Sequence, residues 1–357
     1  MWNKLRKTDQ FILIFFVIIA GLRNILVFFP AIITTYYSNL IYPKIHKLQF
    51  LLFNWVPFPV SYLLILLFLG YTFYLHFKII RKNKFRAILI SLSIFWIRNL
   101  MIIYCLFQVF WGFNYARLDI SEELNLDKTE ITFENLTHEI KNVENKLLQI
   151  RSTIDTNLLY QKLNQKQILE IQNEMVKSFH SNALKPFQIS KCNFLFPKGI
   201  LLHWATSGIY FPFTGECNID GGLHPIQEPF TIAHELCHGA GWGDEATCNF
   251  LAWVALKDSE NLFFQYSVWF GYWKELQYNL KLNYIDAYKS YIQTIDIHLL
   301  TDSRLVRNEM AKYKDYFPEM QKRVYDQYLK TQGVGEGIKS YNKMIDLVMA
   351  YQKSKMN

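Results

Sequence analysis

The segment with the most evident chemistry is residues 231–239, which read TIAHELCHG and contain the pattern His-Glu-x-x-His. Residues four apart lie on one face of an α-helix, so His234 and His238 can present ring nitrogens to one metal ion. Glu235 follows the first histidine and is placed to act as general base toward a water on that metal. The pattern therefore predicts a metal-dependent hydrolytic site.

The flanking residues predict that this pattern lies on a helix. Residues 229–233, PFTIA, provide a helix start and an apolar first turn, and residues 239–243, GAGWG, end the helix sharply. Cys237 points away from the two histidines, so we expect a packed thiol there and not a ligand. The alternative is a buried helix whose two histidines only make hydrogen bonds.

A catalytic zinc site takes a third protein ligand and leaves one position for water. Two acids follow the glycine-rich turn. Asp244 completes the spacing HExxHxxGxxD, which is metzincin-like with an aspartate as third ligand. Glu245 begins a predicted helix, Glu245–Leu256, and can turn its carboxylate back to the metal as in gluzincins. The spacing alone leaves both acids open.

Three apolar stretches near the amino terminus predict membrane-spanning helices, at about residues 11–29, 60–77 and 87–112. Each is long enough for a hydrocarbon core that takes about 20 helical residues. Residues 1–117 contain 13 Lys or Arg and one acid, Asp9, whereas the remainder contains 25 basic and 29 acidic residues. The basic excess thus belongs to the membrane region, and a nucleic-acid partner is not expected.

The basic residues also predict the orientation of the chain in the membrane. Lys4, Arg6 and Lys7 precede the first stretch, and five basic residues lie in the short connection 78–86. Acidic residues follow Arg117. The positive-inside rule then places the amino terminus in the cytoplasm and the domain after Arg117 outside.

Residues 118–357 have the composition of a globular domain, for which we predict a helix-dominated α+β fold. Thr132 can cap a helix whose apolar residues recur at helical spacing, a second helix is expected over 160–179, and residues 185–220 predict a small sheet. Beyond Glu228 the chain is predicted to be helical, with a break near 333–337. Five scattered cysteines exclude a four-cysteine zinc module, and a Cys192–Cys217 bridge is left open.

Several blocks of the chain resemble a bacterial membrane family known as DUF3810, a domain of unknown function regarded as zincin-like. The most specific block is GIYFPFTGE at 208–216 followed by PFTIAHEL at 229–236. Shorter blocks are YS at 37–38, IYP at 41–43, WGFNY at 111–115, GIKSY at 337–341 and DL at 346–347. The resemblance thus covers nearly the whole chain.

The resemblance also bears on the site residues. The family typically has an acidic pair before Ala-Asn-Phe, and an ungapped alignment puts the first acid at Glu245 and the second at Thr247, where this sequence departs. Glu245 is therefore the favoured third ligand. In zincins a strand before the HExxH helix pairs with the substrate, which implies roles for Tyr210, Phe211 and Glu216 in the run 208–216. The substrate-binding set is thus Tyr210, Phe211 and Glu216, and Tyr341 is the candidate donor to the oxyanion.

The sequence therefore predicts a multi-pass protein of the bacterial cytoplasmic membrane, with spans in 1–117 and an extracytoplasmic zincin-like domain in 118–357. The expected activity is that of a zinc metallopeptidase that binds zinc through His234, His238 and Glu245 and uses Glu235 as the base. Its expected partners are peptide or protein substrates, including membrane-associated ones, and the lipid bilayer. The alternatives are a degenerate zincin that serves as a sensor or assembly factor and a structural membrane protein.

Overall fold

The computed structural model describes residues 6–82, 84–127, 129–184, 188–316, 319, 323 and 342–356. The chain divides into two compact units. Unit 1 contains Met1–Arg117 and Phe211–Glu216, and unit 2 contains Leu118–Tyr210 and Cys217–Asn357. Helices dominate the described part of the chain, which also contains a small three-stranded sheet, as predicted.

Unit 1 is helical. Its elements are α1 (Lys7–Leu26), α2 (Pro30–Ile32), a π-helix (Ile33–Ile41), α3 (Tyr42–Phe53), α4 (Val60–Lys82), α5 (Phe85–Phe110) and a 3-10 helix (Gly112–Ala116). Three of these, α1, α4 and α5, are long and apolar enough to cross a membrane by length and composition. At most 11% of each apolar window is buried within the chain, so these helices present apolar side chains outward, as a lipid-facing surface requires.

The segment between the first two apolar helices is folded rather than an open loop. Helix α1 ends at Leu26, earlier than the predicted boundary at 29, since a residue before a proline, here Phe29 before Pro30, disfavours helical geometry. The chain then forms the π-helix, a rare conformation that is frequent at functional sites. Tyr37 on this π-helix is buried and its hydroxyl donates to the Val109 carbonyl at 2.9 Å.

The segment Phe211–Glu216 belongs to unit 1 although it lies far along the sequence. The Glu216 carboxylate accepts the backbone N–H groups of Val60 and Ser61, both at 2.9 Å, and the Thr214 hydroxyl at 2.8 Å. A carboxylate at a helix N-terminus satisfies free N–H groups and complements the helix dipole. Glu216 is thus a buried cap of α4, 1% exposed, whereas the sequence analysis places it among the substrate-binding residues.

Unit 2 contains the remaining described elements. The helices are α6 (Ile120–Glu123), α7 (Phe133–Thr153), α8 (Gln165–Ser181), α9 (Glu228–Gly239), α10 (Glu245–Leu256), α11 (Leu262–Asn283), α12 (Ile285–Tyr291), α13 (Ile297–Met310) and α14 (Asn342–Met356). The strands are β1 (Lys191–Leu195), β2 (Gly208–Phe211) and β3 (Glu216–Asp220), in the order β1-β3-β2. The predicted break near 333–337 lies outside the described residues.

Local sequence signals set the starts of α7 and α8. The Thr132 hydroxyl accepts the Asn135 N–H at 3.2 Å and caps α7, as predicted. The second predicted helix begins at Gln165 rather than at 160, because Asn164 and Gln167 form a reciprocal capping box there. Both helices bury an apolar face, which on α7 consists of Leu136, Ile140, Val143, Leu147 and Ile150.

Close packing of α9 and α11 fixes the helix that carries the HExxH motif. The Ser267 hydroxyl accepts the Phe230 N–H at 3.1 Å and donates to the Ile226 carbonyl at 2.6 Å. One turn further, a Cβ atom on Gly271 would lie 2.9 Å from the Phe230 ring. The two helices therefore approach closely only because residue 271 has no side chain.

We predict that Gly271→Val destabilises the chain by about 1–3 kcal/mol, because the added atoms overlap the Phe230 ring and force the helices apart. Thermal unfolding of the detergent-solubilised chain, followed by circular dichroism, measures the change. Lys281→Val places the same side chain at an exposed position of α11 and serves as the control for helix propensity. Equal melting temperatures for the two variants would contradict the close packing.

Candidate metal centre

His234 and His238 on α9 and Glu245 at the start of α10 form a compact group of possible metal ligands. Their ligand atoms all lie within 4.8 Å of one another. The two Nε2 atoms are 3.1 Å apart, and the Glu245 Oε2 atom lies 3.1 Å from the His234 Nε2 and 3.7 Å from the His238 Nε2. The helical spacing of the motif thus brings both imidazoles to one carboxylate.

Hydrogen bonds at the other ring nitrogens orient both histidines. The His238 Nδ1 donates to the Trp242 carbonyl at 2.7 Å, and the His234 Nδ1 lies 2.6 Å from the Asn249 Oδ1. A carbonyl oxygen only accepts, so Nδ1 carries the proton and Nε2 keeps its lone pair in the neutral ring. Such partners fix the tautomer and orientation of metal-binding histidines in proteins.

The electrostatics of this group favour a positive charge among the three side chains. Burial by itself lowers the pKa of His238, but the Glu245 carboxylate outweighs this effect and raises the pKa to about 10. Burial alone would raise the pKa of Glu245, yet the two imidazoles hold it well below its usual range. Two lone pairs and a carboxylate oxygen that converge in this way repel one another unless a proton or a cation lies between them. The donor set is therefore one that could hold a divalent metal ion.

Asp244, the other acid left open by the spacing, serves a different purpose. Its Oδ2 atom accepts the Thr247 N–H at 2.8 Å and the Thr247 hydroxyl at 2.6 Å, so Asp244 caps the N-terminus of α10. Thr247 occupies the position of the second acid in the family pattern. In this chain it completes a helix cap, and Glu245 is the acid that lies beside the two imidazoles.

A lysine from the C-terminal helix α14 reinforces this cap. The Lys343 Nζ atom lies 3.2 Å from the Asp244 carboxylate and 2.5 Å from the Asp119 carboxylate. Asp119 caps α6 by accepting the Ser121 N–H at 2.9 Å. One ammonium group therefore joins the caps of two helices, one of which presents Glu245.

Glu235, the predicted base, lies beside the edge strand β2. Its carboxylate accepts a backbone hydrogen bond from Tyr210, and a Cβ atom on Gly208 would approach its Oε1 to 2.5 Å. Among the described residues no group hydrogen-bonds to its Oε2, although Glu235 is only 4% exposed. Burial raises the pKa of Glu235, against the opposing effect of the two imidazoles. A buried acceptor of this kind is available to a water or a substrate.

A second acid, Glu275 on α11, is also electrostatically linked to the site. Burial raises its pKa to about 7, with His234 acting in the opposite direction. The sequence around this residue carries no signal for a functional site. Only the packing of α11 on α9 brings it near the histidines.

The residues predicted to bind substrate are placed differently from one another. Tyr210 is buried, with its ring close to Gly239, so its backbone rather than its side chain faces Glu235. The Phe211 ring packs on Phe213 in unit 1, with ring centroids 5.5 Å apart. Tyr341 lies outside the described residues.

Other residues of the site were missed at the level of sequence. Asn249 and the Trp242 carbonyl orient the two histidines. Gly208 leaves space for the Glu235 carboxylate beside β2, and Lys343 forms an ion pair with the Asp244 cap of α10. Only Asn249 carried a signal, since it belongs to the Ala-Asn-Phe element of the family pattern. A main-chain carbonyl and a lysine about 100 residues downstream carry none.

The five cysteines are free and buried. Cys237 is fully buried, as expected for a packed thiol. Cys192 and Cys217 lie on the adjacent strands β1 and β3, and their side chains are within hydrogen-bonding contact, but they are not bridged. The Cys217 thiol also contacts the Glu235 carbonyl at 3.2 Å.

Comparison with known families gives one match, which spans most of the chain. The model of a family described as "Protein of unknown function (DUF3810)" matches residues 37–349. No curated protein and no solved structure matches the chain. The match includes both units and every member of the histidine and glutamate group.

We predict that Lys343→Met lowers the stability of the chain by about 1–2 kcal/mol, because it leaves two neighbouring cap carboxylates without their shared cation. Thermal unfolding of the full chain in detergent measures the effect. Lys353→Met, at an exposed position of the same helix, is the matched control. If both variants melt at the same temperature, the bridge contributes nothing to stability.

Proposed function

The chain belongs to the DUF3810 family, and we propose that this member is a zinc-dependent peptidase with a membrane anchor. The observation that carries the proposal is the convergence of His234, His238 and Glu245 beside the buried carboxylate of Glu235. Two imidazoles and one carboxylate form a known zinc ligand set that leaves a coordination position for water or substrate.

The proposed residue roles follow from their contacts. Zinc supplies Lewis acidity toward a peptide carbonyl and lowers the pKa of a water that it binds. The Glu235 carboxylate takes the proton of the attacking water at Oε2, its atom without a described partner, and delivers the proton to the leaving amine. The backbone of Tyr210 holds the other side of the carboxyl group in place. Tyr341 lies outside the described residues, and its proposed role as donor to the developing oxyanion rests on the family resemblance alone.

The edge strand β2 supports a peptide as the substrate class. It has one neighbour in the sheet, β3, so its other edge can pair with an extended chain. Ile209 on this strand is 43% exposed. A peptide paired with β2 would run past Glu235, since Gly208 and Tyr210 both contact that carboxylate. Tyr210 then acts as a substrate-binding residue through its main-chain groups.

The membrane location rests on the three apolar helices of unit 1, which are compatible with an anchor. The distribution of lysine and arginine favours a cytoplasmic amino terminus and an extracytoplasmic unit 2. For a member of a bacterial family this orientation corresponds to the cytoplasmic membrane, with the proposed peptidase site on its outer side.

The first test measures the metal content of the purified full-length chain. We expect about one zinc ion per chain by elemental analysis after metal-replete purification, and its loss in His234→Ala and Glu245→Ala, which remove ligands. His180→Ala removes an exposed histidine of α8 and should keep the zinc. If the native chain contains no zinc after metal-replete purification, the proposed function is wrong.

The second test separates catalysis from metal binding. We expect Glu235→Gln to keep its zinc and to lose about 10²–10⁴-fold in peptide hydrolysis, because the amide lacks the basic oxygen. Cleavage of a peptide library, followed by mass spectrometry, is the measurement, and the exposed Glu134→Gln is the control. Turnover similar to that of the native chain would refute Glu235 as the base. Zinc without any hydrolysis in the native chain would instead favour a binding or sensor protein.

A further inference from the structure

We propose that Glu275 forms a subsite beside the metal centre that binds a cationic group of the peptide substrate. This inference rests on the proposed peptidase function and names the substrate class: peptides that place an ammonium or guanidinium group near the bond to be cut. The subsite lies on α11, outside the HExxH helix and the Glu245 helix.

The packing of α11 against α9 determines where Glu275 lies. Ser267, Gly271 and Glu275 follow one another at intervals of four residues, so they form one ridge of α11. Ser267 contacts the Phe230 N–H, and Gly271 faces the Phe230 ring.

If this register continues for one more turn of each helix, Glu275 on α11 lies against His234 on α9. His234 is four residues beyond Phe230, just as Glu275 is four residues beyond Gly271. This register agrees with the effect of His234 on Glu275, whose pKa it lowers against the larger, opposite effect of burial. The carboxylate is thus beside a proposed zinc ligand without being one, since the described ligand group contains His234, His238 and Glu245.

Glu275 differs from the other buried acids of unit 2 in having no partner. Four of those acids pair with a neighbouring side chain: Glu139 with Tyr272 at 3.1 Å, Glu144 with Tyr291 at 2.7 Å, Glu228 with Lys162 at 2.5 Å and Asp302 with Arg151 at 2.8 Å. Asp220 accepts the N–H groups of Gly199, Leu201, Leu202 and Gly222. Within the described part of the chain, Glu275 has no hydrogen bond and no ion pair.

The lack of a described partner for the Glu275 carboxylate indicates that it binds a group from outside the chain. A carboxylate that is partly removed from water without a counter-charge or a hydrogen bond costs free energy, and each of the other acids named above has one or the other. Glu275 is half-buried, so its carboxylate is still reachable from solvent. A cationic group that arrives with the substrate would provide the missing charge-assisted hydrogen bonds.

Two parts of a peptide could supply the cation, namely the free amino terminus and a lysine or arginine side chain. Both offer N–H donors with a positive charge, which is the chemistry that Glu275 would recognise. A peptide whose neighbouring groups are neutral would leave the carboxylate desolvated and unpaired. The subsite would therefore select substrates by charge and not by shape.

The experiment measures peptide binding in the zinc-loaded full-length chain in detergent, with Glu235→Gln present to prevent turnover. The probes are three pentapeptide amides analysed by calorimetry: Ala-Leu-Phe-Leu-Ala with a free amino terminus, its acetylated form, and an acetylated form with lysine in place of the second leucine. We expect one cationic probe to bind about 10-fold more tightly than the neutral probe, an increment of about 1.4 kcal/mol. Which probe gains affinity identifies the source of the cation.

Adding Glu275→Gln should reduce this preference to less than about 2-fold while the zinc content stays unchanged, because the amide keeps the shape and removes the charge. Glu260→Gln, which removes an exposed acid just before α11, should leave the preference intact. A preference that survives Glu275→Gln, or no preference in the native site, overturns the subsite. Loss of zinc in Glu275→Gln also overturns it, since the residue would then act on the metal centre.

The outcome for the subsite is distinguishable from that for the peptidase. If the parent chain hydrolyses peptides but binds cationic and neutral probes equally well, the peptidase proposal stands and the subsite proposal is wrong. If the parent chain hydrolyses no peptide but binds cationic probes more tightly, and Glu275→Gln abolishes this preference, the subsite proposal stands and the peptidase proposal is wrong.

Discussion

One electrostatic constraint governs the candidate site in unit 2, namely the approach of two imidazole lone pairs and a carboxylate to a common point. The Nε2 atoms of His234 and His238 are 3.1 Å apart, a distance at which two lone pairs repel. The pKa of His238 is raised and that of Glu245 is lowered, so both side chains favour a positive charge between them. Without a proton or a cation between these side chains, the surrounding helices must hold this arrangement against its own repulsion.

The fold meets this requirement with contacts that lie outside the motif. Asn249 and the Trp242 carbonyl hold the two rings at Nδ1, and the Asp244 cap fixes the first turn of the helix that begins at Glu245. Lys343 then ties that cap to a third part of the chain. These partners constrain His234, His238 and the helix that begins at Glu245, as outer partners do for metal-binding side chains in proteins.

The segment that contains β2, the following connection and β3 makes two sets of contacts, one with Glu235 and one with the N-terminus of α4. Gly208 and Tyr210 contact the Glu235 carboxylate in unit 2, while the connection that follows belongs to unit 1, where Glu216 caps α4. The block GIYFPFTGE is the part of the chain in which the family resemblance is most specific. Its composition reflects both requirements, since a glycine is needed for close approach to Glu235 and a carboxylate is needed at the N-terminus of α4.

The sequence alone determined those features that depend on local periodicity: the three apolar helices, the capped helix α7, and the two histidines on one face of α9. The family pattern also favoured Glu245, which the structure brings within 4.8 Å of the two histidines, over Asp244. Only the tertiary structure decided that Asp244 is a cap, that Glu216 is buried in unit 1, that Lys343 pairs with Asp244, and that Glu275 lies on the face of α11 toward α9. The physical reason is distance along the chain: helix period and capping act within one turn, whereas these pairings join residues whose separation only packing can close.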